Sequence, residues 1–130
     1  DTLGVRDRID FQSKLSIEKM VSLYQKATVA IVPSDYEGFG FPAVEAMACG
    51  TPVVSTTGGS LGEIVGDAGL LAPIRDPQAL ASQASKLLSN EATQHAYSAQ
   101  GLDRVQKNFT WEKAATRLDT YYKEILANNS

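Results

Sequence analysis

Two short apolar runs, Val29-Ala30-Ile31-Val32 and Pro52-Val53-Val54-Ser55, restrict this chain more than any other feature. Neither alternates apolar with polar residues, as a strand with one wet face would. Each is short, continuous and punctuated by proline or glycine, the pattern of a strand covered on both faces. Strands of that kind belong to parallel sheets, whose neighbours must be joined by crossover segments. The intervening residues supply one. Pro42 opens a short helix through Cys49 and Gly50 lies just past its end, the usual start and stop residues. After the turn Thr57-Gly58-Gly59-Ser60 and a short segment containing Glu63, Gly69-Leu70-Leu71-Ala72 reads as a last strand.

The rest of the pattern is helical. Ser16 caps a helix whose positions Ile17, Met20, Val21, Tyr24 and Ala27 share one apolar face. Asp76 and Pro77 start another, striped by Leu80, Ala81, Ala84, Leu87 and Leu88. A more polar helix spans about Glu91 to Asn108. Thr110 caps a final one, with Trp111, Ala114, Ala115, Leu118, Tyr121, Tyr122 and Ile125 on its inward side. Only Ile9-Asp10-Phe11 looks strand-like in the first fifteen residues. Strands alternating with helices define the α/β class, with a parallel sheet flanked by helices.

Composition narrows the function classes. The 130 residues carry 12 Lys+Arg against 15 Asp+Glu, a net charge of −3. That balance lacks the clustered basic excess of a nucleic-acid binder. One cysteine cannot form an internal disulfide, which argues against the disulfide-stapled secreted class. No apolar run approaches the roughly 20 residues that span a bilayer. The start, Asp1-Thr2-Leu3-Gly4-Val5-Arg6-Asp7, lacks the basic-then-apolar pattern of a signal peptide. No repeat, linker or low-complexity tract divides residues 1–130. The expectation is a single cytoplasmic domain, and the missing initiator Met suggests that it derives from a longer chain.

Ligands of parallel α/β sheets bind where strands end and lead into helices. Two loops qualify, residues 33–41 and 55–63. In the first, Pro33-Ser34-Asp35-Tyr36-Glu37-Gly38-Phe39-Gly40-Phe41-Pro42-Ala43-Val44-Glu45, two glycines let backbone approach a ligand. The helix start behind them favours an anion. Glu45 lies about one turn inside that helix, and Glu37 projects from the loop. Carboxylates beside a phosphate-friendly backbone suit a ligand with both phosphate and hydroxyl groups.

Glu37, seven intervening residues and Glu45, set within P-S-D-Y-E-G-F-G-F-P-A-V-E-A-M-A-C-G-T-P-V-V, resemble the signature of retaining glycosyltransferases of family 4. Val21-Ser22-Leu23-Tyr24-Gln25-Lys26-Ala27, then G-G-S-L-G-E-I-V and G-L-L-A, extend the likeness over residues 21–72. A bare pair of glutamates eight apart would signify little. The resemblance implies a partial Rossmann-like parallel sheet flanked by helices, the C-terminal half of a GT-B fold. Residues 1–130 would be a donor-binding domain without its N-terminal portion and without the acceptor domain. The implied reaction moves a sugar from a UDP-, GDP- or ADP-linked donor to an acceptor hydroxyl with retention.

By position, the resemblance makes Glu45 the ligand of the nucleotide ribose. Glu37 would stand near the donor sugar and help to stabilise an oxocarbenium-like transition state, by front-face substitution without a covalent intermediate. Gly38, Phe39, Gly40 and Phe41 would offer backbone N–H groups to the sugar and diphosphate. No cofactor and no metal are implied, because cationic side chains neutralise the leaving diphosphate in the family. The basic pair that does so has no match here, and Arg6 and Arg8 are not candidates for it. Acceptors implied are a glycan, lipid or small molecule, bound mainly by the absent domain. The full-length enzyme would be cytoplasmic or peripheral to the inner face of the membrane. An incomplete sheet also exposes an edge, and edges invite self-association. The alternatives are a GT-B-fold nucleotide-sugar epimerase and a non-catalytic nucleotide-sugar-binding module. Isolated, the chain is expected to be inactive.

Blander roles fit the remaining polar and sulfur-bearing residues. Gly58 and Gly59 read equally as a tight connection or a phosphate cradle. His95 reads as a solvated side chain, Cys49 as a small apolar residue at a helix end, and Trp111 as core.

Overall fold

The computed structural model describes residues 2–128. A 3-10 turn over Arg6–Arg8 leads to α1 (Ile17–Lys26), β1 (Ala30–Val32), α2 (Phe41–Ala48), β2 (Val53–Thr56), α3 (Leu61–Val65) and β3 (Leu70–Ala72). Three longer helices follow: α4 (Pro77–Leu88), α5 (Glu91–Asn108) and α6 (Trp111–Asn128). The strands form one parallel sheet in the order β1-β2-β3, with Ala30 opposite Val53 and Val54 opposite Leu70. The α/β class and the partial Rossmann-like sheet flanked by helices are therefore as expected.

Both crossovers step in the same direction along the sheet. Right-handed connections then put α2 and α3 on one face. Strand alternation divides the core accordingly. Val32 and Val53 face Ala43, Ala46, Met47, Leu61, Ile64 and Val65, the larger core. Val54, one residue on, turns to the opposite face and meets Ala84 and Leu87 of α4. All four residues of β2 are buried, as its continuous apolar run requires.

The flanks differ from expectation. In β1 only Val32 is buried, and Ile31 is 46 % exposed. Ile31 lies on the same face as Val54, where α4 packs chiefly against β2 and β3. Residues 9–11 form no strand. The helix boundaries agree with the caps: Ser16 Oγ accepts from Lys19 N, Asp76 Oδ1 from Ala79 N, and Thr110 Oγ1 from Lys113 N. The inward face expected of α6 is not inward. No residue of α6 is buried, and Trp111, expected in the core, is 89 % exposed. The stripe is present, but among the described residues α6 touches chiefly α5.

Helix α5 crosses α2 at Gly101, the one buried residue of its length. A Cβ there would sit 3.1 Å from Met47 Cγ. Ser98 Oγ donates to Gly50 O at 2.6 Å nearby, which ties the end of α2 to α5. Thus α2, and the loop at its start, are held from behind.

Candidate active site

The loop between β1 and α2 is built by its contacts with the loop after β2. Thr56 Oγ1 donates to Ser34 O, and Ser60 N donates to Glu37 O at 3.0 Å. Ser60 Oγ donates to Gly38 O at 2.7 Å. Gly58 and Gly59 make this approach feasible. A Cβ on Gly58 would lie 2.7 Å from Ser34 O, and one on Gly59 2.9 Å from Glu37 N, with Asp35 O and Glu37 O nearer still. Gly59 also has φ +61°. Of the two readings open for this pair, the tight connection is what these contacts describe. The loop after β3 joins in: Arg75 Nε donates to Asp35 Oδ2 at 2.7 Å, and that carboxylate raises the guanidinium pKa. Three consecutive strand-end loops are stitched together at the carboxyl edge of the sheet.

Within this frame, Gly38 and Gly40 have different reasons to be glycine. Gly40 is buried with φ +99°, and a Cβ would meet Leu61 Cδ2 at 2.9 Å. Fold geometry alone demands it. Gly38 has neither constraint: its φ is not positive and no atom lies within 4 Å of where a Cβ would stand. The space above Gly38 is open.

The expected site residues fall on this loop and the helix it starts. Glu37 is half-buried, and its Oε1 accepts from Ser34 Oγ at 2.9 Å. Glu45 is half-buried on α2, and its Oε2 receives a longer bond from the Tyr24 hydroxyl at 3.4 Å. The two carboxylates thus have separate hydroxyl partners, from β1's end and from α1. Burial first, and the nearby Glu45 second, push the Tyr24 pKa up; the same two causes raise that of Cys49. Between them, the N–H groups of Gly38, Phe39, Gly40 and Phe41 find no acceptor among the described residues. Four consecutive unpaired donors at a helix start form an electropositive stretch of backbone.

The aromatic rings are occupied elsewhere. Phe39 stands 4.9 Å from Phe41 and 6.0 Å, edge to face, from Phe109 at the end of α5. That contact anchors the loop by its side chains and leaves the backbone free. Arg104 braces the far side, donating to Glu63 O and Ile64 O at 2.6 and 2.7 Å. It also lies 6.0 Å from the Phe109 ring. Ser34, Thr56, Ser60, Arg75 and Arg104 were not singled out in the sequence. Hydroxyls clustered at strand ends were the available signal for the first three; nothing local marks the arginines, whose partners lie some 40 residues away. His95 is exposed, as expected of a solvated side chain, and lies 3.5 Å from the equally exposed Glu91 one turn earlier. No group of three or more His, Cys, Asp or Glu side chains is gathered for a metal among the described residues. No helix among them is long and apolar enough to cross a membrane.

Residues 1–104 match the family model described as "Glycosyl transferases group 1". The chain belongs to the group 1 glycosyltransferases. Within that family it is 41 % identical over 106 residues to O-antigen chain mannosyltransferase B of Escherichia coli, covering 82 % of this chain and 28 % of the relative. Its fold is similar to that of sucrose-phosphate synthase from Thermosynechococcus elongatus, with TM-score 0.85 and 36 % identity. That alignment covers 98 % of this chain and 32 % of the synthase. It is also similar to the C-terminal domain of a group 1 family protein (LpcC) from Francisella tularensis. There the TM-score is 0.69 and identity 28 %, over 79 % of this chain and 53 % of that one. The chain spans less than a third of the length of either the mannosyltransferase or the synthase.

Proposed function

We propose that residues 1–130 belong to the donor-binding, C-terminal domain of a retaining, family 4-type glycosyltransferase. The donor is a UDP-, GDP- or ADP-linked sugar, and the acceptor hydroxyl is presented by a domain beyond these residues. The observation that supports this reading best is the run of four unpaired N–H groups at Gly38–Phe41, open above Gly38 and flanked by Glu37 and Glu45. Backbone donors at a helix start suit a diphosphate or the sugar attached to it. Carboxylates held by neutral hydroxyls keep lone pairs available for the hydroxyls of ribose and hexose.

The roles follow from place. Glu45, on α2 and bonded only weakly by Tyr24, accepts from the ribose hydroxyls. Glu37, in the loop beside the open space, accepts from the donor sugar and favours positive charge developing at its anomeric carbon. Retention then comes from departure and attack on one face of the sugar. Donors preorganised for the leaving diphosphate act most where its charge grows. Arg75 is engaged by Asp35, so further cations for the diphosphate come from outside this set of loops.

Kinetics of the full-length enzyme test the roles. Glu45→Ala should raise the donor KM roughly 10- to 100-fold, the loss of a charge-assisted hydrogen bond, with a smaller change in kcat. Glu37→Ala should lower kcat by about 10²- to 10³-fold, as loss of an electrostatic stabiliser does. Equal and small effects from the two changes would overturn the assignment.

A further inference from the structure

Resting on that reading, we infer that Ser60 is a positioning residue that aims the Gly38 and Phe39 N–H groups at the donor. Ser60 occupies the N-cap position of α3, where a serine hydroxyl usually accepts from a first-turn N–H. Here it makes no capping bond. Its Oγ instead donates across to Gly38 O at 2.7 Å, while its N–H takes Glu37 O at 3.0 Å. One residue thus holds two successive carbonyls of the opposite loop.

Peptide geometry converts those bonds into a direction for the donors. In a trans peptide the C=O and N–H point opposite ways, and no peptide bond among the described residues is cis. The carbonyl of Glu37 shares its plane with the N–H of Gly38. The carbonyl of Gly38 shares its plane with the N–H of Phe39. With both carbonyls drawn to Ser60, both N–H groups face away from the Gly58-Gly59 turn. Gly59 lets the turn come close enough for this, since any side chain there would strike Glu37. The forgone cap is explained by the same arrangement. A local bond within α3 is exchanged for one that fixes a plane of the neighbouring loop.

The two carbonyls are held by different atoms of Ser60, and this makes the idea testable residue by residue. Ser60→Ala removes the Oγ bond and releases the 38–39 plane, but keeps the backbone bond to Glu37 O. The experiment is titration of the 130-residue chain with UDP, GDP and ADP, followed through its amide N–H resonances. In the unaltered chain the Gly38 and Phe39 amides should both shift with the nucleotide that binds. In Ser60→Ala the Phe39 response should fall sharply, the Gly38 response should persist, and affinity should weaken roughly threefold to tenfold, the loss of one neutral hydrogen bond. Ser60→Thr, which retains a hydroxyl, should restore the Phe39 response.

An unchanged Phe39 response in Ser60→Ala overturns the inference and leaves the donor reading standing. So does a loss spread equally over both amides, or one accompanied by loss of the slow-exchanging β2 amides, because either is a general structural effect. If neither loop amide responds to any of the three nucleotides in the unaltered chain, the donor reading fails and this inference falls with it.

Discussion

At the scale of single residues, the candidate site is a set of polar groups, each held by a particular hydroxyl or carbonyl partner. Tyr24 illustrates how such a contact reads out in solution. Its hydroxyl is half-buried against α2 and donates to Glu45, and burial followed by the carboxylate's charge holds its pKa above the ordinary tyrosine value. A raised folded-state pKa means that the unfolded chain releases this proton first. Below about pH 10, where both states keep the proton, the interaction contributes fully to stability. As pH climbs through that range the unfolded state is favoured, so the contribution is lost. A spectrophotometric titration of the five tyrosines should therefore show a late component. Tyr24→Phe should abolish it and flatten the loss of stability above pH 10. A late component that survives the substitution would mean that the hydroxyl is not held against Glu45.

The same scale separates what could be foreseen from what could not. The placement of Glu37 in a strand-end loop and of Glu45 on the helix behind it was legible, because their spacing sits in an ordered string of glycines and prolines. For Ser34 and Ser60 the only signal was a hydroxyl near a strand end, which does not name the carboxylate or carbonyl that each meets. Gly58 and Gly59 were legible as special positions, but only the approach of Glu37 and Asp35 chooses close packing over a phosphate cradle.

At the scale of elements, caps and periodicity located the helices well, because both are local. Burial is not local, and there the expectation parted from the structure. The stripe Leu118, Tyr121, Tyr122 and Ile125 of α6 follows helical spacing as faithfully as that of α4. Yet Leu87 of α4 is fully buried, whereas Tyr121 and Tyr122 are 59 % and 58 % exposed. A pattern records that a face is apolar, not that a surface waits for it. An 18-residue helix with no buried residue takes little stability from tertiary packing. Hydrogen exchange of the chain should accordingly divide sharply. Amides at the middle of α6 should exchange through local opening, while those of β2 should exchange only with global unfolding. Comparable protection in α6 and β2 would show that α6 is packed in solution.

At the scale of the molecule, fold class was legible and completeness of cover was not. Continuous apolar strands separated by helix signals leave little choice but a parallel sheet, and crossover handedness then places α2 and α3 together. What no run of residues declares is which strand will be an edge. Val29–Val32 and Pro52–Ser55 look equivalent in sequence, but the second is flanked on both sides and the first on one. The consequence is a molecule whose two cores share β2, where Val53 looks to one and Val54 to the other, and whose α5 lends Val105 to the first and Tyr97 to the second. A shared central strand couples the cores, so damage to either should destabilise both. Met47→Ala and Leu87→Ala each remove a fully buried side chain from a different core and should each cost about 2–5 kcal/mol. Urea titrations followed by far-ultraviolet circular dichroism should show one main transition, moved to lower denaturant by either change. Trp111 offers a control. As the sole tryptophan, and 89 % exposed, it should emit as a solvated indole before unfolding and change little through that transition. Two separate midpoints, each sensitive to only one substitution, would mean that β2 does not join the cores. A tryptophan signal that tracks the main transition would instead place α6 within the cooperative unit.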